Sequence, residues 1–285
     1  YGKPHQARGA VVTTRRNFHT HTALCNHATG SVADYCEAAV AQGVTTLGIS
    51  DHTPHPDGRW QSTRMAMAEL PGYVQDIHDA AAAYPGLQVY AGIECEHVTE
   101  HLAFYQDELL GRHGLSYLIG AVHWYPYAGE WASLYGQPQM DAQRLHAYTD
   151  HIVELISSGY YAFIAHPDLF GVAYRGVDEE LRACVRAIAQ AAEACKVPLE
   201  INAYGLRKKK IEDGGSWRFM YPLMIFWEIV AEYQVPVIVN SDAHRPQDVW
   251  GNTDECLDIA RRYSLHVVND DFLVEKGLPV HNCGT

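Results

Sequence analysis

Seven apolar, strand-like runs recur along this chain, and six of them are followed within three residues by histidine, aspartate or glutamate. The first leads into His19-Thr20-His21, and Val44–Ile49 ends in Ser50-Asp51-His52. Residues 87–93 end in Glu94, 117–122 in His123, and 160–165 in His166. Residues 197–201 end in Asn202, and 235–239 lead to Asp242-Ala243-His244. Helix-like segments fall between them at 31–43, 73–84, 140–157, 178–196, 217–233 and 254–263. Strands that are apolar almost throughout, alternating with helices, indicate a parallel sheet covered by helices. An open sheet spreads its strand ends along a line. A barrel gathers them at one mouth, where barrel enzymes build their sites. The expectation is therefore α/β: a TIM-like, distorted barrel of seven parallel strands, completed by a short run at 265–268. No repeat, low-complexity tract or linker divides it, so residues 1–285 read as a single domain. Residues 1–15 are polar and basic and are set aside as a flexible or tag-derived N-terminal segment.

The residue types at these ends point to metal chemistry. In an extended strand, side chains at i and i+2 share a face, so His19 and His21 present two imidazoles side by side. A single His-x-His often marks two surface histidines; here the pattern recurs at strand end after strand end. Histidines and carboxylates without cysteine suit zinc, iron(II) or manganese. There are too many of them for one ion. Two or three clustered ions would use them, clamping the attacking and leaving oxygens of a phosphoester and lowering the pKa of a bridging water. No glycine-rich phosphate loop, nucleophile-elbow serine or Cys-His pair competes with this reading. The net charge of −13 disfavours nucleic acid as a partner. No apolar run approaches the length of a membrane span. The seven cysteines are scattered, without a Cys-x-x-Cys pair, and read as reduced thiols of a cytoplasmic protein.

At this point the chain resembles the polymerase and histidinol phosphatase (PHP) family. The resemblance is carried by His19-Thr20-His21, Ser50-Asp51-His52, Gly92-Ile93-Glu94, Ala121-Val122-His123, Ala165-His166-Pro167-Asp168 and Ser241-Asp242-Ala243-His244. It implies a distorted (β/α)7 barrel with three divalent metals (zinc, iron or manganese). A first ion would take His19, His21, Glu94 and Asp242; a second would share Glu94 and add His123 and His166; a third would take His27, His52 and His244. It also implies in-line attack on phosphorus by a metal-bridging hydroxide, with no other catalytic group. Within the family the chain is most similar to stand-alone histidinol-phosphate phosphatases. The run Asn202-Ala203-Tyr204-Gly205-Leu206-Arg207 looks like the segment that supplies a phosphate-binding arginine there, and Arg245 is a second candidate. Trp250, where relatives often have glycine, departs from the pattern, as does the aromatic loop from Trp124 to Tyr135.

The function expected is thus a metal-dependent phosphomonoesterase acting on a small phosphorylated substrate, histidinol phosphate above others. A PHP phosphoesterase acting on nucleotides or oligonucleotide ends and a degenerate, non-catalytic metal-binding barrel are the alternatives. Asp51 reads as a group orienting an imidazole, and Glu96 as either a polar neighbour or a ligand. His55, Asp168 and Glu200 read as loop or barrel polarity, residues 208–210 as a solvated lysine run, and Cys25 as a buried thiol.

Overall fold

The computed structural model describes residues 14–136 and 139–272. Eight parallel strands form one sheet, paired in the order β1 (Arg15–Asn17), β2 (Val44–Ile49), β3 (Gln88–Glu96), β4 (Tyr117–Ala121), β5 (Phe163–Ile164), β6 (Leu199–Asn202), β7 (Pro236–Asn240) and β8 (His266–Val267). Spatial order equals chain order, so each crossover steps one place in the same direction and the sheet curls. Among the described residues the curl is joined between β1 and the end of β7 without a strand ladder. Thr20 bridges Ala243, and the His21 amide donates to the Ala243 carbonyl at 2.9 Å. Asn17 donates to Ser241 Oγ at 2.7 Å, and Asn269 Nδ2 spans the carbonyls of Arg16 (3.2 Å) and Val239 (2.8 Å). The expected parallel α/β architecture is present; among the described residues the sheet has eight strands rather than seven and its hydrogen-bond ladder is not closed.

Among the described residues six α-helices of seven residues or more cover the sheet: α1 (Val32–Ala41), α2 (Leu70–Ala83), α3 (Ala142–Ser157), α4 (Glu179–Cys195), α5 (Met224–Val230) and α6 (Thr253–Arg262). A short helical turn at Leu102–Phe104 also runs into a π-helix, Tyr105–Arg112, that buries Tyr105 and Leu109. α1 begins at a capping box in which Ser31 and Asp34 satisfy each other's backbone amides. Asp141 and Asp178 cap α3 and α4 through the amides of Arg144 and Leu181. On α4 the buried side chains Leu181, Cys184, Val185, Ile188, Ala189, Ala192 and Cys195 recur every three or four residues, giving one face to the core. β4 alternates: Leu118 joins the layer beneath the helices, whereas Tyr117, Ile119 and Ala121 pack with Phe18, Phe163 and Ile238 inside the curl. Tyr117 needs the glycine opposite it, because a Cβ on Gly92 would land on its ring. None of the described helices is long and apolar enough to cross a membrane.

Four local expectations are corrected. Residues 217–233 do not form one helix. Ile211–Asp213 and Ser216–Arg218 pair as a hairpin across Gly214-Gly215, both at positive φ, and α5 begins only at Met224. The Asp-Gly-Gly sequence is the turn signal for this. The aromatic segment is likewise a hairpin, Trp124–Tyr127 with Glu130–Ser133, turning at Ala128-Gly129. Arg15 belongs to β1, so the set-aside segment runs too far by that residue, while residues 1–13 lie outside the described ones. Cys25, Cys36, Cys95, Cys184 and Cys256 are free and buried, but Cys195 is disulfide-bonded, against the expectation of reduced thiols throughout.

Candidate metal centre

The strand ends bring all nine expected ligands to one mouth of the curled sheet. Glu94, 1% exposed at the end of β3, is the hub. Its Oε1 lies 3.1 Å from His166 Nε2, 3.6 Å from His19 Nε2 and 4.0 Å from His123 Nε2. Its Oε2 lies 3.5 Å from His21 Nε2 and 2.7 Å from His52 Nδ1. Asp242 Oδ1 stands 3.2 Å from His21 Nε2, 3.7 Å from His19 Nε2 and 3.4 Å from His244 Nδ1. Ring nitrogens face each other at 3.0 Å in two pairs, His19 with His21 and His27 with His244. Two of these residues are held in an unusual backbone: His166 and Asp242 sit at φ of 30° and 48°. Non-glycine residues are uncommon there, and such strain gathers at functional sites.

Whether these residues suit a cation can be judged from their hydrogen bonding. Buried polar atoms are ordinarily paired. Here Glu94 Oε2, Asp242 Oδ1 and His52 Nδ1, which face other ligands of the cluster, are buried and have no hydrogen-bond partner among the described residues. Even the 2.7 Å approach of His52 to Glu94 lacks hydrogen-bond alignment. Two imidazole nitrogens each about 2 Å from a shared ion lie about as far apart as the facing pairs do. His19-His21-Glu94, His52-Glu94-His123 and His27-His52-His244 each gather three ligand atoms closely enough for one ion, as do His21-Cys25-His244. The grouping differs from expectation in one respect: His52 approaches Glu94 and so stands between the second and third sets. The electrostatics agree with a cation site. Burial raises the Glu94 pKa, but His52 and His19 outweigh it and hold the carboxyl well below its ordinary range. Burial lowers His19, yet Glu200, Asp242 and Glu94 hold it well above the usual value.

A ring of buried groups orients these ligands, and most of it escaped the sequence reading. Glu200 Oε1 lies 2.8 Å from His19 Nδ1, and its Oε2 accepts the His166 amide at 3.0 Å. Glu96 is a neighbour, not a member of the ligand groups. Its Oε1 lies 2.7 Å from His123 Nδ1 and its Oε2 accepts the His123 amide at 2.9 Å. Hydrogen bonding to the far nitrogen fixes which imidazole nitrogen is free to ligate. Asp51 does not orient an imidazole by hydrogen bonding; it accepts from the Thr22 amide and hydroxyl, both at 2.8 Å, and so pins the loop after His21. Asp168 accepts from the Leu223 amide and the Trp227 indole, and His55 pairs with His101 at 3.0 Å. A glutamate inside an apolar strand is rarely left buried without a partner; at Glu200 that was the available signal.

A cavity of about 440 Å³ opens over the cluster. Trp124 and Tyr135 line it, as does Trp60 from a different loop, its ring stacked on Trp124 at 5.0 Å and 13°. Arg207 and Arg245 are not in its wall. Arg207 donates to the carbonyls of Gly251 (2.5 Å), Ser241 (2.5 Å) and Asp242 (3.2 Å), and so braces the turn that carries Asp242. Arg245 points outward, paired with Asp248 at 2.8 Å. Lys208, expected in a solvated run, is instead half-buried in the cavity wall.

Comparison with known proteins agrees with this geometry. The PHP domain profile matches residues 17–204. A Deinococcus radiodurans protein named "Probable histidinol-phosphatase" is 31% identical over 242 residues, 81% of this chain and 86% of that protein. A Schizosaccharomyces pombe protein of the same name is 21% identical over 258 residues, 82% of each. The histidinol phosphate phosphatase of Lactococcus lactis, solved with zinc, L-histidinol and phosphate, matches with a TM-score of 0.69 over 89% of this chain and 95% of that one. At 14% identity that likeness is one of fold.

Proposed function

The chain belongs to the PHP domain family, and from that premise we propose that it is a metal-dependent phosphomonoesterase with histidinol phosphate as its substrate. The observation that carries the reading is the clustering of seven histidines with Glu94 and Asp242 beneath an aromatic-walled cavity. The names of the relatives, and the histidinol and phosphate held by the Lactococcus protein, support the choice of substrate. The same reading takes the chain as one barrel domain and the enzyme as cytoplasmic.

Three ions are proposed. His19, His21, Glu94 and Asp242 would hold the first, Glu94, His123 and His166 the second, and His27, His52 and His244 the third. When bound, such ions supply Lewis-acid charge to phosphate oxygens and lower the pKa of an attacking water. The chain's own part is to hold the ligands in place. Glu200 keeps the His19 Nδ1 proton turned away from the cluster, and Glu96 does the same for His123. Water is the nucleophile in this account, and no side chain becomes phosphorylated. Trp60 is covered by Trp124 and by the Arg64 guanidinium, so the flat contact for the leaving group would come from the other face of Trp124, on which an imidazolium would gain roughly 0.5–2 kcal/mol. Glu94 and Asp242 are the only carboxylates lining the cavity among the described residues, and both belong to the ligand set. The amine of histidinol would therefore rely on ring faces and on the hydroxyls of Ser62, Thr63 and Ser133.

A panel of phosphomonoesters assayed with zinc, manganese and iron tests the proposal. Histidinol phosphate should be the preferred substrate. Turnover no faster than that of p-nitrophenyl phosphate would defeat the substrate assignment, and no hydrolysis of any monoester would defeat the phosphatase reading.

A further inference from the structure

Resting on the phosphatase reading, we infer that Lys208 is the anion-binding residue of the cavity, its ammonium donating to the phosphoryl oxygens of the substrate and of the product phosphate. Two cationic side chains other than histidine line the cavity among the described residues, Arg64 and Lys208. Arg64 is committed: it donates to Glu96 at 3.0 Å, and that carboxylate in turn holds His123. Its guanidinium also lies 5.4 Å from the centroid of the Trp60 ring. Drawing Arg64 onto a substrate would strip a buried carboxylate of its counter-charge. Arg207 is equally committed, to three backbone carbonyls beneath the Asp242 turn.

Lys208 is free of such ties. Among the described residues its ammonium forms no ion pair and no hydrogen bond, while its backbone amide donates to the Gly205 carbonyl at 3.2 Å. Its Nζ lies over the face of Tyr204, 4.0 Å from the ring centroid. Tyr204 itself stacks on His244, 4.5 Å away and 10° from parallel. Lysine, tyrosine and ligand histidine thus form one column, which holds the ammonium at the His244 side of the cluster. The aromatic face steadies the ammonium, which makes no hydrogen bond of its own and so keeps N–H donors for an incoming anion. An ammonium meets a tetrahedral phosphate as a point charge, without needing the planar fork of arginine. Arg207 and Lys208 are adjacent in sequence yet divide two tasks, one bracing the Asp242 turn and the other facing the cavity.

The test uses metal-loaded enzyme, with inorganic phosphate as the probe. Its dissociation constant is read by calorimetry, alongside kcat and KM for histidinol phosphate and metal content by elemental analysis. Lys208→Met keeps the stem and removes the charge. It should weaken phosphate binding and raise KM by about 10- to 100-fold, the range for one hydrogen bond to a charged group, with metal content unchanged. Lys208→Arg should recover most of the loss. Arg207→Ala should instead lose metal. Phosphate binding by Lys208→Met as tight as in the unaltered enzyme overturns the inference. So does loss of phosphate affinity in Arg207→Ala or Arg245→Ala with metals retained, which returns the role to an arginine. If the unaltered, metal-loaded enzyme neither binds phosphate nor hydrolyses any monoester, the phosphatase reading itself fails.

Discussion

Glu200→Gln should loosen metal binding while leaving the fold intact. Glu200 is fully buried, and every contact it makes is with a donor. Oε1 meets His19 Nδ1 at 2.8 Å and the Asn240 amide at 3.0 Å; Oε2 meets the His166 backbone amide at 3.0 Å and the Asn202 amide at 2.7 Å. Glutamine has nearly the same shape but carries one oxygen and one NH₂. Whichever way it turns, its NH₂ faces two donors. With the NH₂ toward His19, the ring is driven to place its proton on Nε2, the nitrogen that faces Glu94 and Asp242. Disturbing a carboxylate behind a ligand histidine costs about 10- to 100-fold in metal affinity, or about 1.4–2.7 kcal/mol. Lost bonds to a charged acceptor should also cost the metal-free protein about 1.5–3 kcal/mol. Glu200 helps raise the His19 pKa, so the variant also has less proton competition for that ring, which works in the opposite direction. Titrating chelator-stripped protein with zinc against a competing indicator, at neutral and at alkaline pH, separates the two. Zinc affinity within about twofold of the unaltered protein at alkaline pH would refute the orienting role.

Three further outcomes are expected. Glu94→Gln removes one anionic oxygen from the hub, so hydrolysis should be abolished and two of the three metal equivalents weakened, as read by elemental analysis; retained stoichiometry would oppose the bridging role. His151 is 5% exposed against Trp131, and burial pushes its pKa down to about 4. The unfolded value is about 6.5, so the unfolded chain binds more protons between the two. The contribution of His151 to stability should therefore fall as pH drops from about 6.5 to about 4, by no more than about 3–4 kcal/mol, and be flat above. In His151→Phe the urea midpoint should depend less on pH over that window, and equal slopes for the two proteins would contradict this. Gly92→Ala should destabilise by about 1–3 kcal/mol because its methyl would collide with the Tyr117 ring. Gly86→Ala, where the space is open, serves as the neutral control in the same denaturant titration.

The parts of this molecule that were legible in the sequence are those where chemistry and local period coincide. Glu94, His123 and His166 follow apolar runs directly, so a strand pattern was enough to send them to one mouth. His19 and His21 needed only the two-residue period. What stayed hidden depended on partners far along the chain. Glu200 reads as a stray charge until its oxygen is found beside His19, and Trp60 lies in a proline-rich loop whose landing place on Trp124 no local pattern encodes. Arg207 was singled out by residue type; that its guanidinium lies on the carbonyls of Gly251, Ser241 and Asp242 while Lys208 lines the cavity is set by a short helical turn that no residue pattern shows. The misjudged start of α5 had a local cue, the Asp-Gly-Gly turn, overridden by the aromatic and apolar content of the residues after it.

The most direct test of the central claim is a metal titration of the chelator-stripped protein, following bound equivalents and histidinol phosphate hydrolysis together. The account predicts no hydrolysis without metal, activity rising with occupancy, and a plateau at three equivalents per chain. Hydrolysis by the metal-free protein, or full activity at a single equivalent, would contradict it.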